Sequence, residues 1–417
     1  MEVGFFDFLN LLKNGGWVVL PVLLFFVWRN LWLDYVRLKY QLSINWVVLE
    51  LRIPQVVDKT PKVMEQVFSG LYALKTKDNW IDKNIKGKQQ PHISLDITSI
   101  NGNIHFFIRS PENYRTLIES QILAQYPEAD LVEVEDYTKM LPANIPNEDY
   151  DVWGTELAFT KEDAYPIRTY KNFKEDINID LAHKGFVDPI ASLMEVLSDM
   201  REGENLWINY MIRPASDCWQ KKGAELVDRL LGRGKKKQSS NIIEEVFQFF
   251  SDMVWILFGR PPEDKKLESE KEKEKKDLSP GQKEVIKAVE ESISKHGFHS
   301  LIRIVYVARR TVFSRANIPA IIGTFNQFST YNLNGFGPDS KVTPGVNYFF
   351  KKTRDYLRKV RLYQGARRVR FSKKGMILNV EELATVYHIP SSVVETPTLP
   401  KIEAKKVQPP SGLPTMQ

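Results

Sequence analysis

The sequence predicts an α+β chain: an N-terminal transmembrane helix, then two ferredoxin-like modules of βαββαβ type, then an extended C-terminal tail. Three observations predict it. There is an apolar run at Trp17–Trp28, a succession of alternating strands and amphipathic helices from residue 46 onward, and a proline-rich end without periodicity. A length of 417 residues suggests two or three domains. A charged fraction of 26% together with nine tryptophans excludes a wholly disordered chain.

The anchor is read from WVVLPVLLFFVW, which Arg29 and Asn30 interrupt before Leu31 to Leu33 resume it. A spanning helix needs about 20 mostly apolar residues, a length that Trp17 to Trp32 approaches if Arg29 snorkels. Trp17, Trp28 and Trp32 suit the two interfacial belts. A cleavable signal peptide fits less well, because MEVGFFDFLN carries two acids and no small-residue cleavage pattern follows the run. A helix lying in the membrane plane or buried in a core is the alternative. Lys13 stands on one side of the run, and Arg29, Arg37 and Lys39 on the other. The positive-inside rule then predicts a single-pass protein of the inner cell membrane with its C-terminal bulk in the cytoplasm. Residues 1–45 thus read as anchor and juxtamembrane helix.

Residues 46–140 read as the first module. WVVLELRI is a strand stopped by Pro54, and a helix follows Thr60-Pro61. HISLDITS and NIHFFIR alternate around Asn101-Gly102, a strong hairpin turn. Ser110 and Pro111 are expected to open a helix ending near Pro127, and DLVEVE is a fourth strand. The second module, 150–340, is expected to hold strands at 153–159, 165–170, 204–213 and 300–309 and helices at 188–201, 281–296 and 313–328. Its insertion, 217–280, contains a helix to about Leu231, an aromatic-rich amphipathic helix at 241–258 and the charged stretch PPEDKKLESEKEKEKKDLSP. Residues 341–390 read as a basic helical connector. Within it Asn379 and Glu382 have capping-box spacing, and Pro390 ends the helix they open. Residues 391–417 are the tail.

The chemistry-bearing residues exclude more than they suggest. Cys218 is the single cysteine, so neither a disulfide framework nor a multi-cysteine metal site can form within the chain. The six histidines show no HExxH pattern; His296 and His299 are three apart without further ligands. LLGRGKKKQSS lacks the spacing of a phosphate loop, and GFGPDS lacks a strand–helix context. Neither enzyme activity nor a cofactor is expected.

Charge gives the positive signal. Residues 300–376 carry a net +14, against +6 for the whole chain. The richest part is 341–376, where Lys351, Lys352, Arg354, Arg358, Lys359, Arg361, Arg367, Arg368 and Arg370 are interleaved with Tyr356, Tyr363 and Phe371. Cations neutralise phosphates and rings stack on splayed bases. A nucleic-acid surface, a docking face for an acidic protein and a solvated or lipid-attracted helix face all fit this pattern.

Several segments together resemble a known family. WVVLELRIP, KTPKVMEQVFSGLYAL and IHFFIRSPENYRTLIESQILAQYPEADLVEVEDYT, with LNVEELATVYHIP and EAKKVQPPSGLP near the end, are similar to the membrane-anchored N-terminal region of large predicted conjugation-type ATPases. These relate to type IV secretion and HerA-like DNA translocases in small-genome bacterial lineages. The resemblance spans most of residues 15–414. It implies a transmembrane helix, paired α+β modules and association with a DNA- or protein-moving motor. It departs from the family at Gln417, where members with a motor continue into Walker A and Walker B motifs. No nucleotide-binding residue carries over. The expectation is a non-catalytic, membrane-anchored scaffold for a separate P-loop motor ATPase, assembled as a homo-oligomer. A membrane-tethered DNA-binding protein without a motor is the alternative.

Overall fold

The hairpin of β2 (Ile93–Ile100) and β3 (Asn103–Pro111) forms the inner end of the first half of the sheet. Asn101 and Gly102 join its strands with φ of 53° and 86°, the positive pair that matches a two-residue turn to strand twist. A Cβ on Gly102 would lie 2.6 Å from the Met200 carbonyl oxygen, so no side chain fits there. The computed structural model describes residues 19–54, 59–77, 79–173, 188–233, 278–345, 349–372, 375–391 and 401–402. The expected helix at 241–258, Trp17, nearly all of the charged stretch and almost all of the tail lie outside them.

From this hairpin the sheet grows both ways. β3 pairs antiparallel with β1 (Trp46–Pro54), and β1 with β4 (Asp130–Glu133). On the other side β2 pairs antiparallel with β6 (Glu204–Pro214) from Ile93↔Ile212 to Ile100↔Asn205. β6 pairs with β7 (Gly297–Arg309), β7 with β5 (Tyr150–Phe159), and β5 with β8 (Phe336–Pro338). β9 (Met376–Asn379) pairs with β7, and the two residues of β10 (Lys401–Ile402) run parallel to β1. The order β4–β1–β3–β2 of one half therefore recurs as β8–β5–β7–β6 in the other, joined across the β2–β6 seam.

α1 (Val19–Leu42) precedes the sheet. One layer of helices covers one face: α2 (Lys62–Leu71) and α4 (Arg115–Gln125) over the first half, α5 (Ala191–Ser198) and α8 (Asn317–Asn326) over the second. α3 (Trp80–Asn84) lies in the connection from α2 to β2. α6 (Cys218–Leu230) and α7 (Pro280–Ile293) pack on each other in the excursion between β6 and β7. α9 (Lys351–Arg367) crosses the opposite face, and α10 (Val380–Val386) fills the helical layer beside α2.

Two expectations are overturned. The first is the anchor. α1 runs on through Arg29, Asp34, Arg37 and Lys39, which cut the apolar stretch short. Its C-terminal half docks on the body: Leu33 and Val36 are buried, and the Trp32 indole donates to the Asn84 carbonyl at 3.3 Å. Among the described residues no helix is long and apolar enough to cross a membrane. The single-pass anchor, the inner-membrane placement and the interfacial roles of Trp28 and Trp32 go with it. The second is the pair of separate modules. Open edges at β2 and β6 would leave two rows of backbone groups unpaired, and the chain satisfies both by joining them. The result is one α+β body with a continuous, largely antiparallel sheet of ten strands.

Local differences have equally plain causes. Ser110 and Pro111 do not open a helix; they extend β3, where they face Val47 and Trp46. The segment 165–170 is not a strand. Its donors go elsewhere: Ile167 N–H to the Glu382 carboxylate at 2.9 Å, Arg168 N–H to the Phe328 carbonyl, and Tyr170 N–H to the Thr385 hydroxyl at 3.0 Å.

Two of those acceptors belong to the stretch read as a connector. The Asn379–Glu382 capping box is present, and residues 376–390 are buried throughout. Leu383, Ala384 and Tyr387 pack into the main core, where Tyr387 meets Phe68, Phe106 and Tyr210 edge-on. His388 lies between the Ala384 carbonyl and Asp188 at 2.8 and 2.9 Å. This packing predicts that Leu383→Ala lowers unfolding free energy by about 2–5 kcal/mol. Tyr387→Phe, which removes a buried hydroxyl without a partner, should leave it unchanged or raise it. Urea denaturation of both variants checks the contrast.

Candidate polyanion-binding surface

Alternation along β2, β3, β6 and β7 puts Leu95, Phe106, Ile208 and Ile304 under the helical layer. The intervening positions face α9, and several are polar or charged. Asp96 is fully buried there. Its carboxylate receives the Arg109 Nε at 2.6 Å, the Tyr137 hydroxyl at 3.0 Å, Asn209 Nδ2 at 2.8 Å and the Ser94 hydroxyl at 2.6 Å. Burial disfavours the charge on Arg109, but Asp96 and the Tyr137 oxygen outweigh it and hold the guanidinium above its ordinary range. Nearby, Arg303 clamps one carboxylate oxygen of Glu156 through Nε and Nη2 at 3.0 and 2.6 Å.

These two arginines hold α9 in place. Arg109 donates to the Ala366 carbonyl at 2.7 Å and Arg303 to the Arg370 carbonyl at 2.9 Å. Both charges sit at the C-terminal end of the helix, where its dipole is negative. Gly365 permits the approach, since a Cβ there would lie 3.1 Å from the Arg303 guanidinium carbon. Tyr363 stacks on Trp207 and donates to the Pro142 carbonyl at 2.7 Å. Beyond the helix Val369 takes a left-handed φ of 46°, costly for a β-branched side chain. It is held by packing on Met211 and Leu301 and by His92, whose Nε2 lies 2.8 Å from the Val369 carbonyl. Burial, together with Arg213, Arg109 and Arg303, pushes the His92 imidazole down to about 4 despite that hydrogen bond.

The nine cations singled out in sequence do not form one surface. Arg358 is half-buried and donates to the Ser340 and Thr343 carbonyls at 2.8 and 2.6 Å. Lys359 pairs with Asp151 at 2.6 Å, and Arg367 lies over the Tyr363 ring. These three fasten the helix. Lys351, Lys352, Arg354, Arg361, Arg368 and Arg370 are exposed. Arg354 and Arg361 lie seven residues and about 10 Å apart on the same side of α9, and Arg368 and Arg370 are exposed just past its end; Lys351 and Arg354 also make contacts within the chain. Phe349, Phe350, Tyr356 and Leu357 are exposed beside them.

Sequence reasoning missed Asp96, Arg109, Glu156 and Arg303. The available signal was a polar residue on alternate strand positions, which reads equally well as a solvent face.

The described residues offer little for other chemistry. No group of three or more His, Cys, Asp or Glu among them could hold a metal ion. His296 stacks on Tyr72, His105 bonds Glu50 at 2.9 Å, and Cys218 is exposed at the start of α6. A cleft of about 230 Å³ between the end of α1 and β1 is lined by Tyr40, Gln41, Trp46, Gln89 and His92.

Two outcomes follow from the buried charges. Arg303→Ala should cost about 3–5 kcal/mol by leaving Glu156 buried and unpaired, while Glu156→Leu with Arg303→Met should cost less; chemical denaturation compares the two. His92 remains neutral in the fold well below the ordinary histidine value of 6.5. The unfolded chain therefore takes up its proton first, and stability present above pH 6.5 is lost as pH falls toward 4. Relative to His92→Gln, the parent should lose on the order of 1–3 kcal/mol across that window, read from unfolding curves at each pH.

Comparison with curated proteins finds no match. A family model described as a domain of unknown function, DUF8128, matches residues 37–401, which takes in β1 to β9 and leaves most of α1 ahead of it. The chain belongs to the DUF8128 family.

Proposed function

We propose that this chain is a non-catalytic docking component of a DNA- or protein-translocation machine of the type IV secretion kind, and that α9 is where it meets a separate P-loop motor ATPase. The observation that carries the reading is the exposed set Lys352, Arg361, Arg368 and Arg370, on and just past a helix immobilised from beneath. Guanidinium groups bind carboxylates and phosphates in a planar two-point geometry, and a fixed set of them selects a partner with matching anions. The resemblance of the strand and helix segments to the region that precedes such motors supplies the kind of partner. A second reading, direct contact with DNA, is favoured by the exposed rings of Phe349, Phe350 and Tyr356, on which bases stack.

The variant Lys352→Glu/Arg361→Glu/Arg368→Glu/Arg370→Glu tests both, since all four side chains are exposed and the fastening residues are untouched. Parent and variant are compared in affinity purification from the native cell, with the captured proteins identified by mass spectrometry. Both are also titrated with labelled single- and double-stranded DNA at two salt concentrations. Loss of a co-purifying P-loop ATPase alone supports docking. Loss of DNA binding alone, with a salt slope of about −0.7 to −0.9 per phosphate, supports the second reading. Unchanged binding to both overturns α9 as the contact.

A further inference from the structure

On the face that carries α9, Arg109, Arg303 and Lys359 each meet a carboxylate: Asp96, Glu156 and Asp151. Arg213 breaks that pattern. It stands near the end of β6, two residues past Met211 on the same face, and is half-buried. Its guanidinium lies over the Phe371 ring at 4.4 Å. Among the described residues its side chain meets neither a carboxylate nor a hydrogen-bond acceptor.

Strand register puts a second basic group beside it. Along this face β6 and β7 pair as Asn209↔Arg303, Met211↔Leu301 and Arg213↔His299. The last rung sets an imidazole directly across from the guanidinium, about 4.5–5.5 Å away at Cβ. His299 is half-buried as well, and its ring has no hydrogen-bond partner among the described residues. Beyond it β9 places Ile377, which clusters with Trp219 of α6. Lys222, three residues after Trp219, is exposed. Burial, then Arg213 and Lys222, push the His299 imidazole below its ordinary value, and burial alone lowers the Arg213 guanidinium. Asp163 lies by Lys222 and accepts the Ile377 N–H, so it offsets part of that lysine. No described acid is set against Arg213 or His299. Groups of like charge directly opposite each other weaken a sheet, and a half-buried cation without an anion is costly. Folds retain such conflicts where a ligand relieves them.

We propose that Arg213, His299 and Lys222 form a phosphate-binding site at the end of the β6–β7 ladder, taking the phosphate dianion either free or as a monoester. The arrangement favours phosphate over carboxylate. The Arg213 fork spans two oxygens, while His299 and Lys222 stand on a second strand and on a helix, so the donors do not share a plane. A phosphate monoester offers three acceptor oxygens and about two negative charges near pH 7. A carboxylate offers two oxygens in one plane. The site is separate from the outer cations of α9 and does not rest on what they bind.

Isothermal titration calorimetry of the full chain with inorganic phosphate, at an ionic strength fixed with chloride, tests the site. The parent is expected to bind one phosphate per chain. Arg213→Gln should weaken that binding about tenfold or more, and His299→Gln should weaken it less. Arg361→Glu/Arg368→Glu, on and past α9, should leave it within about twofold, because salt screens distant exposed charges. Thermal unfolding keeps the test decisive if a variant folds poorly. Without phosphate, Arg213→Met should unfold at the parent's temperature or above it, since it removes a charge that lacks an anion. Added phosphate should raise the unfolding temperature of the parent and not of Arg213→Met. Adenosine monophosphate titrated in parallel separates the sources: tighter binding than phosphate assigns an ester, and equal or weaker binding assigns the free ion. No binding of phosphate, equal binding by parent and Arg213→Gln, or an Arg213→Met protein that unfolds well below the parent overturns the proposal.

Discussion

Two buried ion pairs, Arg109 with Asp96 and Arg303 with Glu156, govern the architecture of the α9 face. A charge taken out of water is tolerated only where partners satisfy it. Here the partners come from both directions. The carboxylates stand on β2 and β5, and each guanidinium also donates upward, Arg109 to the Ala366 carbonyl of α9 and Arg303 to the Arg370 carbonyl just past its end. The helix is therefore coupled to the sheet by charge-assisted hydrogen bonds rather than by apolar contact alone. Tyr363, Trp207 and Tyr137 fill the space around them. The basic residues on the outer side of α9 thus project from a rigid support, which lowers the entropy lost when a partner binds.

The opposite face follows a different rule. The strand order repeats from one half to the other, each half brings two crossover helices, and the β2–β6 seam makes the sheet continuous. α10 fills the layer between them. It caps the segment that precedes α5 with side-chain acceptors and closes the core with Leu383 and Tyr387. A C-terminal stretch that reads as a connector is thereby an integral part of the body. Its acids illustrate this: Glu381 bonds Lys171 and Lys295, and Glu382 receives backbone donors from Ile167 and Asn379.

Individual elements were legible in the sequence where the cause is local. Asn101-Gly102 demands a turn, the Asn379–Glu382 spacing demands a capping box, and alternation in 204–213 demands a strand. The failures share a cause as well. The apolar run after Trp17 resembles a membrane span because hydropathy cannot register that Leu33 and Val36 are taken up by the protein's own surface. The segment 165–170 resembles a strand because alternation does not reveal which acceptors its N–H groups will find. The candidate site was legible as a cluster of cations but not as a surface, since Arg358 and Lys359 have the same side-chain chemistry as Arg361 and differ only in what lies beneath them.

The sequence by itself determined the α+β class, the boundaries of most strands, the concentration of positive charge near residues 341–376 and the absence of a phosphate loop, because each depends on residue type and spacing alone. Tertiary structure alone decided that the polar positions of β2, β3, β5 and β7 lie under a helix instead of facing water. It also decided that two strand edges fuse into one sheet, and that Leu33 and Val36 of α1 are buried against the body. Those outcomes rest on which surfaces meet, and burial, pairing and charge satisfaction between distant segments are not encoded in any local period.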